Sequence, residues 1–309
     1  MTLQIDYCCQ DFPRVYSLPW NGVLTTSWDE LLWAAITIGR PSTYHVFRHG
    51  QASFHEAIFR LALVRMAVEQ ESWSARLRRT SAFAALDPTE KGMVSYFLGM
   101  TLCKLFASQL LNAPWLLHLD VFRPTLNPVL LGRSRPDLVG QDVSGNWHAF
   151  ESKGRASTPS KTDKEKAKIQ AQRLVSIDNC NCSLQVGSFA FFRSDVLEFY
   201  WRDPEPDSRE NPIRLPGPDE EWRYYYGPAL SLASEADSQP MAVEKELADV
   251  TVEIHPKVHH LLLDGRWAAA RHLAMELRTT LASEGFRSDG VKLSAGESWS
   301  KPYEPVERG

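Results

Sequence analysis

The chain has 309 residues, 43% of them hydrophobic and 11% aromatic, which is enough apolar material for a sizeable core in one elaborated domain or two modest ones. A formal charge of −4 excludes a general attraction to nucleic acid or anionic membrane, so any polyanion site has to come from local clustering. Cysteines at 8, 9, 103, 180 and 182 form no CxxC pair and suit a reducing cytoplasm, the expected location, while the apolar run at 31–38 is too short to span a bilayer and no export signal is expected.

From residue 27 to about 112 the pattern predicts mostly helix, with Phe54, Ile58, Leu61 and Ala62 on one face of a segment running toward Glu71. "STYHVFRHGQASFHEAIFR" at 42–60 gathers His45, His49, His55 and Glu56, but the spacing matches no zinc motif, and packing is the expected role. Arg48 and His49 remain candidates to approach DNA. "DPTE" at 87–90 reads as a helix start in which Asp87 caps, Pro88 takes the first helical position and Glu90 bonds back. Apolar residues then recur to about Leu111.

Stretches at 113–122, 127–140, 146–155, 183–193 and 196–202 are short, apolar or aromatic, and bounded by Pro, Gly, Asn and Ser, as strands are. "KTDKEKAKIQAQRLVSI" between the third and fourth is a predicted helix, with Ala167, Ile169, Ala171 and Leu174 at roughly helical spacing. The expected class is therefore α/β, ordered helix, three strands, helix, then one or two strands. Beyond it, 203–254 carries 13 acidic against 4 basic residues and repeated prolines, so it is expected to be irregular and poor core material. "DGRWAAARHLAMELRTTLASEG" predicts a final amphipathic helix before a loose tail. The expected division is a mostly helical N-terminal extension at 1–86 packed on a core at 87–202, the irregular segment 203–254, and a helical C-terminal region and tail at 255–309.

Within the core, "RPDLVGQDVSGNWHAFESKGR" at 135–155 is the stretch with chemistry in it. Glu151 and Lys153 fall on one face of a strand, and the turn-forming "DVSGN" brings the strand carrying Asp137 alongside. Two close carboxylates repel unless a cation sits between them, and a hard divalent ion such as Mg²⁺ answers that need. An adjacent lysine can orient a water and offset charge growing on a phosphoryl oxygen. A surface hairpin with an exposed ion pair is the plain alternative, but it explains neither Asp137 nor the helix that follows.

Pro136-Asp137 with Glu151-Ser152-Lys153 resembles the "PD" and "ExK" elements of the PD-(D/E)xK nuclease superfamily, over about a third of the chain. Glu151-Ser152-Lys153 is the only acid-x-Lys triplet in the sequence. The resemblance implies a restriction-endonuclease-like α-β-β-β-α-β core with a mixed sheet. It implies Asp137, Glu151 and the Ser152 backbone carbonyl as ligands of Mg²⁺, with Mn²⁺ as a substitute, and Lys153 acting on the attacking water. It also suggests Gln170 in support, with Lys168 or Gln172 as alternates, and Glu90 as a further acid unless it serves only the capping box. Between 133 and 173 nine basic residues face five acidic ones, and Arg135, Arg155, Lys161 and Lys168 are the expected nucleic-acid contacts, although a solvated helix face would also explain the lysines.

The expected function is a Mg²⁺-dependent nuclease, in the first instance a DNA endonuclease, with a protein partner or a homodimer and no membrane. A place in a prokaryotic defence or restriction system is the expected context. The alternatives are a nuclease-fold protein that binds or assembles without cutting, and a phosphatase-like hydrolase, for which no motif is present. No Walker motif supplies an ATP-driven step.

Overall fold

The computed structural model describes residues 2–39, 51–71, 73–122, 135–174, 176–177, 180–203, 212–213, 222–223, 225–227, 229–230, 232–233 and 249–300. Strands β1 (Thr2–Gln10) and β2 (Asn21–Ser27) come first, followed by helices α1 (Trp28–Thr37) and α2 (Gln51–Ala67). A small hairpin, β3 (Val68–Gln70) and β4 (Leu77–Arg79), and the short helix α3 (Ser81–Ala85) lead to the long helix α4 (Pro88–Leu111). Then come β5 (Trp115–His118), β6 (Leu138–Gln141), β7 (Trp147–Arg155), α5 (Lys161–Ala171), the two-residue strands β8 (Ser176–Ile177) and β9 (Cys180–Asn181), β10 (Leu184–Arg193) and β11 (Val196–Arg202). The remainder comprises β12 (Pro212–Ile213), β13 (Val250–Ile254), α6 (Pro256–Leu263), α7 (Trp267–Glu276), α8 (Arg278–Ser283) and β14 (Val291–Ala295).

The main sheet runs β2-β1-β11-β10-β7-β6-β5, with the β3–β4 hairpin joined to β11. It is mixed: β1 pairs parallel with β11 and β7 with β10, while β5, β6 and β7 form an antiparallel meander. Residues 88–193 thus lay down helix, three strands, helix and strand in the order expected from sequence, with β8 and β9 set in a separate small sheet.

Helix α4 starts where its chemistry says it should. Asp87 accepts from the Thr89 and Glu90 amides, and Glu90 accepts from the Asp87 amide at 3.2 Å, closing the capping box. It ends at Asn112, whose positive φ of 53° is a conformation asparagine tolerates. From Phe97 to Ala107 every residue is buried, because α4 lies between β7 and β10 on one side and α1 and α2 on the other. Among the described residues α4 is the one helix long and apolar enough to cross a membrane, and most of it is buried in the protein.

Covering helices also explain the strand patterns. β10 is buried at every position but its last, since α4 covers one face and α5 the other, whereas β1 alternates exposed and buried.

Four features depart from expectation. The first 27 residues, which lay within the part expected to be mostly helical, form two strands of the main sheet; β1 alternates only weakly in hydropathy because Asp6, Tyr7, Cys8 and Cys9 fall together. In α2 the buried stripe is Ala57, Arg60, Leu61, Val64 and Ala67, with Ala62 exposed, and the helix stops at Ala67 rather than near Glu71. The terminal helix is broken at Leu277 into α7 and α8, and β13 and β14, which flank α6 to α8 in sequence, pair antiparallel. Of the expected strand at 127–140, only Leu138–Gln141 is strand among the described residues.

Most of 203–248 lies outside the described residues, yet Trp222, Tyr225, Tyr226 and Ala229 from this acidic segment are fully buried core. Asp289 anchors them, accepting from Trp33 Nε1 at 2.9 Å and from the Tyr225 hydroxyl at 2.5 Å. Lys104 of α4 lies against the Trp33 and Tyr225 rings and donates to the Thr37 carbonyl at 3.2 Å. The C-terminal region is therefore tied to α1 and α4 through a buried polar cluster.

Candidate metal centre on the β6–β7 edge

The β6–β7 ladder begins at Leu138 opposite Phe150, so Asp137 stands just before β6 and Glu151 to Arg155 extend beyond it. Among the described residues that extension pairs only with β10, which leaves its other edge open as a notch. Into this notch the sequence turns its charges. Ser152 N–H donates to Asp137 Oδ2 at 3.0 Å, using the free edge of β7 to fix the Asp137 carboxylate. Lys153 Nζ lies 4.0 Å from the same oxygen and makes a close ion pair with Glu151 Oε1. The three side chains expected to converge do so.

Glu151 has no exposed side-chain surface, and neither of its oxygens accepts a hydrogen bond from a backbone amide or a hydroxyl. Burial first, and then the adjoining Asp137 carboxylate, push its carboxyl up to about 8, with Lys153 pulling the other way. Asp137 is also raised, mainly by burial, with Lys153 and the Ser152 amide opposing. One ammonium beside the buried Glu151 and the part-buried Asp137 leaves the pair one positive charge short when both are ionised. Two adjoining carboxylates that share one ammonium and one backbone amide fit a hard divalent ion, and no group of three or more His, Cys, Asp or Glu side chains suited to a metal occurs among the described residues. Further ligands would therefore be backbone oxygen, for which Ser152 remains the candidate, or water.

The site rests on a close helix-to-strand contact. A Cβ on Gly154 would fall 1.6 Å from the Ser95 carbonyl oxygen, and one on Gly99 would fall 2.7 Å from the Lys153 carbonyl carbon, so only glycines let α4 sit this close to β7. On the other side of the notch, Gln170 of α5 donates from Nε2 to the Arg135 carbonyl at 2.8 Å. It braces the backbone two residues before Asp137. Immediately after β5, Leu119 N–H donates to the Asp137 carbonyl at 2.9 Å. His118 beside it is buried and held neutral, its imidazole pushed down to about 3 by burial and then by Arg60.

The remaining expected residues are distributed as follows. Glu90 is committed to the capping box at the start of α4. Arg135 is ion-paired with Asp120, and Arg155 lies 3.7 Å from Asp163. Lys161 and Lys168 lie on α5, the first exposed and the second half-buried, with no ion pair among the described residues. His45, Arg48 and His49 lie outside the described residues, while Glu56 pairs with Arg60 at 2.9 Å.

Sequence reasoning did not single out Tyr96, Asp120 or His118. Gly99, an interior glycine in a strong helix, was the available signal that something approaches α4 closely. A separate cleft of about 500 Å³ lies on the α5 side of the sheet near Asp6, Cys8, Lys164 and Tyr200. Its Arg193 pairs with Glu198 at 3.3 Å, and Lys164 covers the Tyr200 ring.

No protein-family model, no curated protein and no solved structure matches the chain.

Proposed function

We propose that the chain is a metal-dependent nuclease with a restriction-endonuclease-like core, hydrolysing phosphodiester bonds of nucleic acid, DNA in the first instance. One observation carries this reading: the buried Glu151 carboxylate adjoins Asp137 at an open strand edge, with Lys153 as its single counter-ion. The helix, three-strand, helix, strand order and the Pro136-Asp137 and Glu151-Ser152-Lys153 spacing support it.

In this reading Asp137 and Glu151 hold Mg²⁺ or Mn²⁺. When bound, the ion polarises the phosphoryl group and makes a bound water more acidic. The Lys153 ammonium would hold the attacking water and offset charge on the phosphoryl oxygens. Water oxygen forms the new bond to phosphorus, its proton passes to solvent, and the departing sugar oxygen takes a proton as the old bond breaks. Gln170 and Ser152 N–H keep Asp137 in place. Arg155 at the end of β7 and Lys161 and Lys168 on α5 are the candidates for sequence-independent phosphate contacts. Cutting both strands of a duplex would call for two copies of this single site. A cytoplasmic place, a protein partner and a role in prokaryotic defence belong to the same proposal.

The test is incubation of end-labelled duplex DNA, single-stranded DNA and RNA with Mg²⁺, Mn²⁺ or EDTA, using wild type, Asp137→Ala and Lys153→Ala. Cleavage by wild type alone, abolished by EDTA, is expected. Equal cleavage by all three proteins would mean a contaminant and would remove the proposal's support.

A further inference from the structure

Helix α5 has a different neighbour on each flank. A Cβ on Gly187 would lie 3.0 Å from the Lys168 nitrogen of α5, and Gly187 stands opposite Glu151 in the β7–β10 register, so α5 and the carboxylate site share one face of the sheet. On the β7 flank α5 sends Gln170 to the Arg135 carbonyl and Asp163 toward Arg155. On the other flank Glu165 pairs with Arg202 of β11, and Lys164 Nζ lies 3.9 Å from the centroid of the Tyr200 ring. Beyond Lys164 opens the cleft of about 500 Å³, between β1, β2 and the β10–β11 hairpin, a volume in the range of small-molecule sites.

The charges in this cleft do not cancel. Asp6 is bound by Arg76 at 3.0 Å and Glu198 by Arg193 at 3.3 Å, so each carboxylate already has an arginine. Cys8 and Tyr200 face the same space uncharged. Burial raises the thiol, and burial pushes the phenol up to about 12, its hydroxyl donating to Gln10 at 2.8 Å. Lys164 has the Tyr200 ring beneath it and no carboxylate at ion-pair distance among the described residues. Three cations against two carboxylates leave one positive charge in excess, on a half-buried ammonium at the cleft wall. An ammonium of this kind is a point-charge partner for phosphate. Tyr200, Phe191 and the half-exposed Val23 supply an apolar lining beside it.

We propose that this cleft binds a phosphomonoester of nucleotide size, with its phosphate at Lys164 and its organic part against Tyr200, Phe191 and Val23. The proposal goes beyond the nuclease reading and does not depend on it. The cleft is separate from the carboxylate site: Lys153, Phe189, Tyr200 and Cys8 lie abreast on four neighbouring strands, which puts the two about 14 Å apart with α5 between them. The same chemistry comes from two sources, a free mononucleotide or the 5′-phosphate end of a strand.

The experiment is calorimetric titration in EDTA of adenosine 5′-monophosphate, adenosine and inorganic phosphate into wild type, Lys164→Met, Lys166→Met and Val23→Trp. Methionine keeps the stem over the Tyr200 ring and removes the charge, Lys166 is exposed on the same helix, and tryptophan at position 23 fills the cleft with Lys164 intact. Wild type is expected to bind one monophosphate per chain, and to bind adenosine and inorganic phosphate at least tenfold more weakly. Lys164→Met should weaken the monophosphate at least tenfold, as the loss of one charge-assisted contact requires, Val23→Trp should do the same, and Lys166→Met should stay within twofold of wild type. Anisotropy of a labelled 20-nucleotide single strand with and without a 5′-phosphate separates the sources: a preference for the phosphorylated end that needs Lys164 assigns the cleft to a strand end, and monophosphate binding without that preference assigns it to a free nucleotide. Binding of neither the monophosphate nor the phosphorylated end, equal affinity in wild type and Lys164→Met, an equal loss in Lys166→Met, or adenosine or inorganic phosphate binding as tightly as the monophosphate overturns the proposal. Undiminished binding in Val23→Trp does so too, because it places the ligand outside the cleft.

Discussion

Replacing Glu151 with glutamine tests the electrostatics of the notch before any substrate is involved. The carboxyl has an ordinary value of 4.5 and is raised to about 8 in the fold, so between those values the native state keeps a proton that the unfolded chain releases. Stability is then highest below the unfolded value and falls as pH rises through the folded one. At about 1.4 kcal/mol per unit, with Asp137 sharing the titration, the loss is on the order of 3–5 kcal/mol. For a chain of 309 residues unfolding with about 2.1 cal/mol/K per residue, that is roughly 5–8 °C in melting temperature. Asp203, raised to about 7 chiefly by burial, adds a slope of the same sign, so the informative quantity is the difference between wild type and Glu151→Gln. Thermal melts from pH 5 to 9 in EDTA should show wild type losing these degrees relative to the variant. Mg²⁺ at pH 8 should restore wild type and leave Glu151→Gln unmoved. Parallel pH profiles for the two proteins, or an equal response to Mg²⁺, would refute the reasoning.

Other residues give simpler outcomes. Gly154→Ala places a Cβ 1.6 Å from the Ser95 carbonyl and should destabilise by about 2 kcal/mol or more in urea melts, whereas Gly92→Ala, in open space, should stabilise by about 0.5–1 kcal/mol. Equal effects at the two sites would contradict the packing described. Gln170→Ala removes a donor to the Arg135 carbonyl and should lower the cleavage rate about tenfold while leaving the melting temperature within about 2 °C, because the brace acts on Asp137 rather than on the core. An unchanged rate would make the bond incidental. Asp289→Ala strands the buried Trp33 and Tyr225 donors and should destabilise by about 2–4 kcal/mol; a loss below about 0.5 kcal/mol in denaturant melts would show that the polar cluster does not hold the C-terminal region.

Much of the site was legible because its signals are local. Asp87, Pro88 and Glu90 announce α4 within four residues, and Glu151 and Lys153 share a face by strand alternation alone. Joining Asp137 to them required only one turn, since β6 and β7 are consecutive. What was not legible depends on partners distant in sequence. β1 becomes strand by pairing with β11, some 190 residues later, and its own alternation is blurred by Tyr7 and the two cysteines. Trp222 and Tyr225 sit in a segment whose acidity and prolines suggested exposure, yet both are buried, Tyr225 against Asp289, 64 residues later, and Lys104, 121 residues earlier. Helix α4 meets β7 because two glycines 55 residues apart, Gly99 and Gly154, let their backbones approach. Glu90 shows the converse: a local motif explained the residue completely, and its carboxylate is spent in the cap.

The central claim is that a single hard cation takes the place of a proton between Asp137 and Glu151. Calorimetric titration of Mn²⁺ at pH 7, repeated in buffers of different ionisation enthalpy, counts cations bound and protons displaced together. The account predicts one cation per chain and close to one proton released, both lost in Asp137→Ala, with proton release lost in Glu151→Gln. Binding of equal strength in wild type and Asp137→Ala, or binding that displaces no proton, would contradict it.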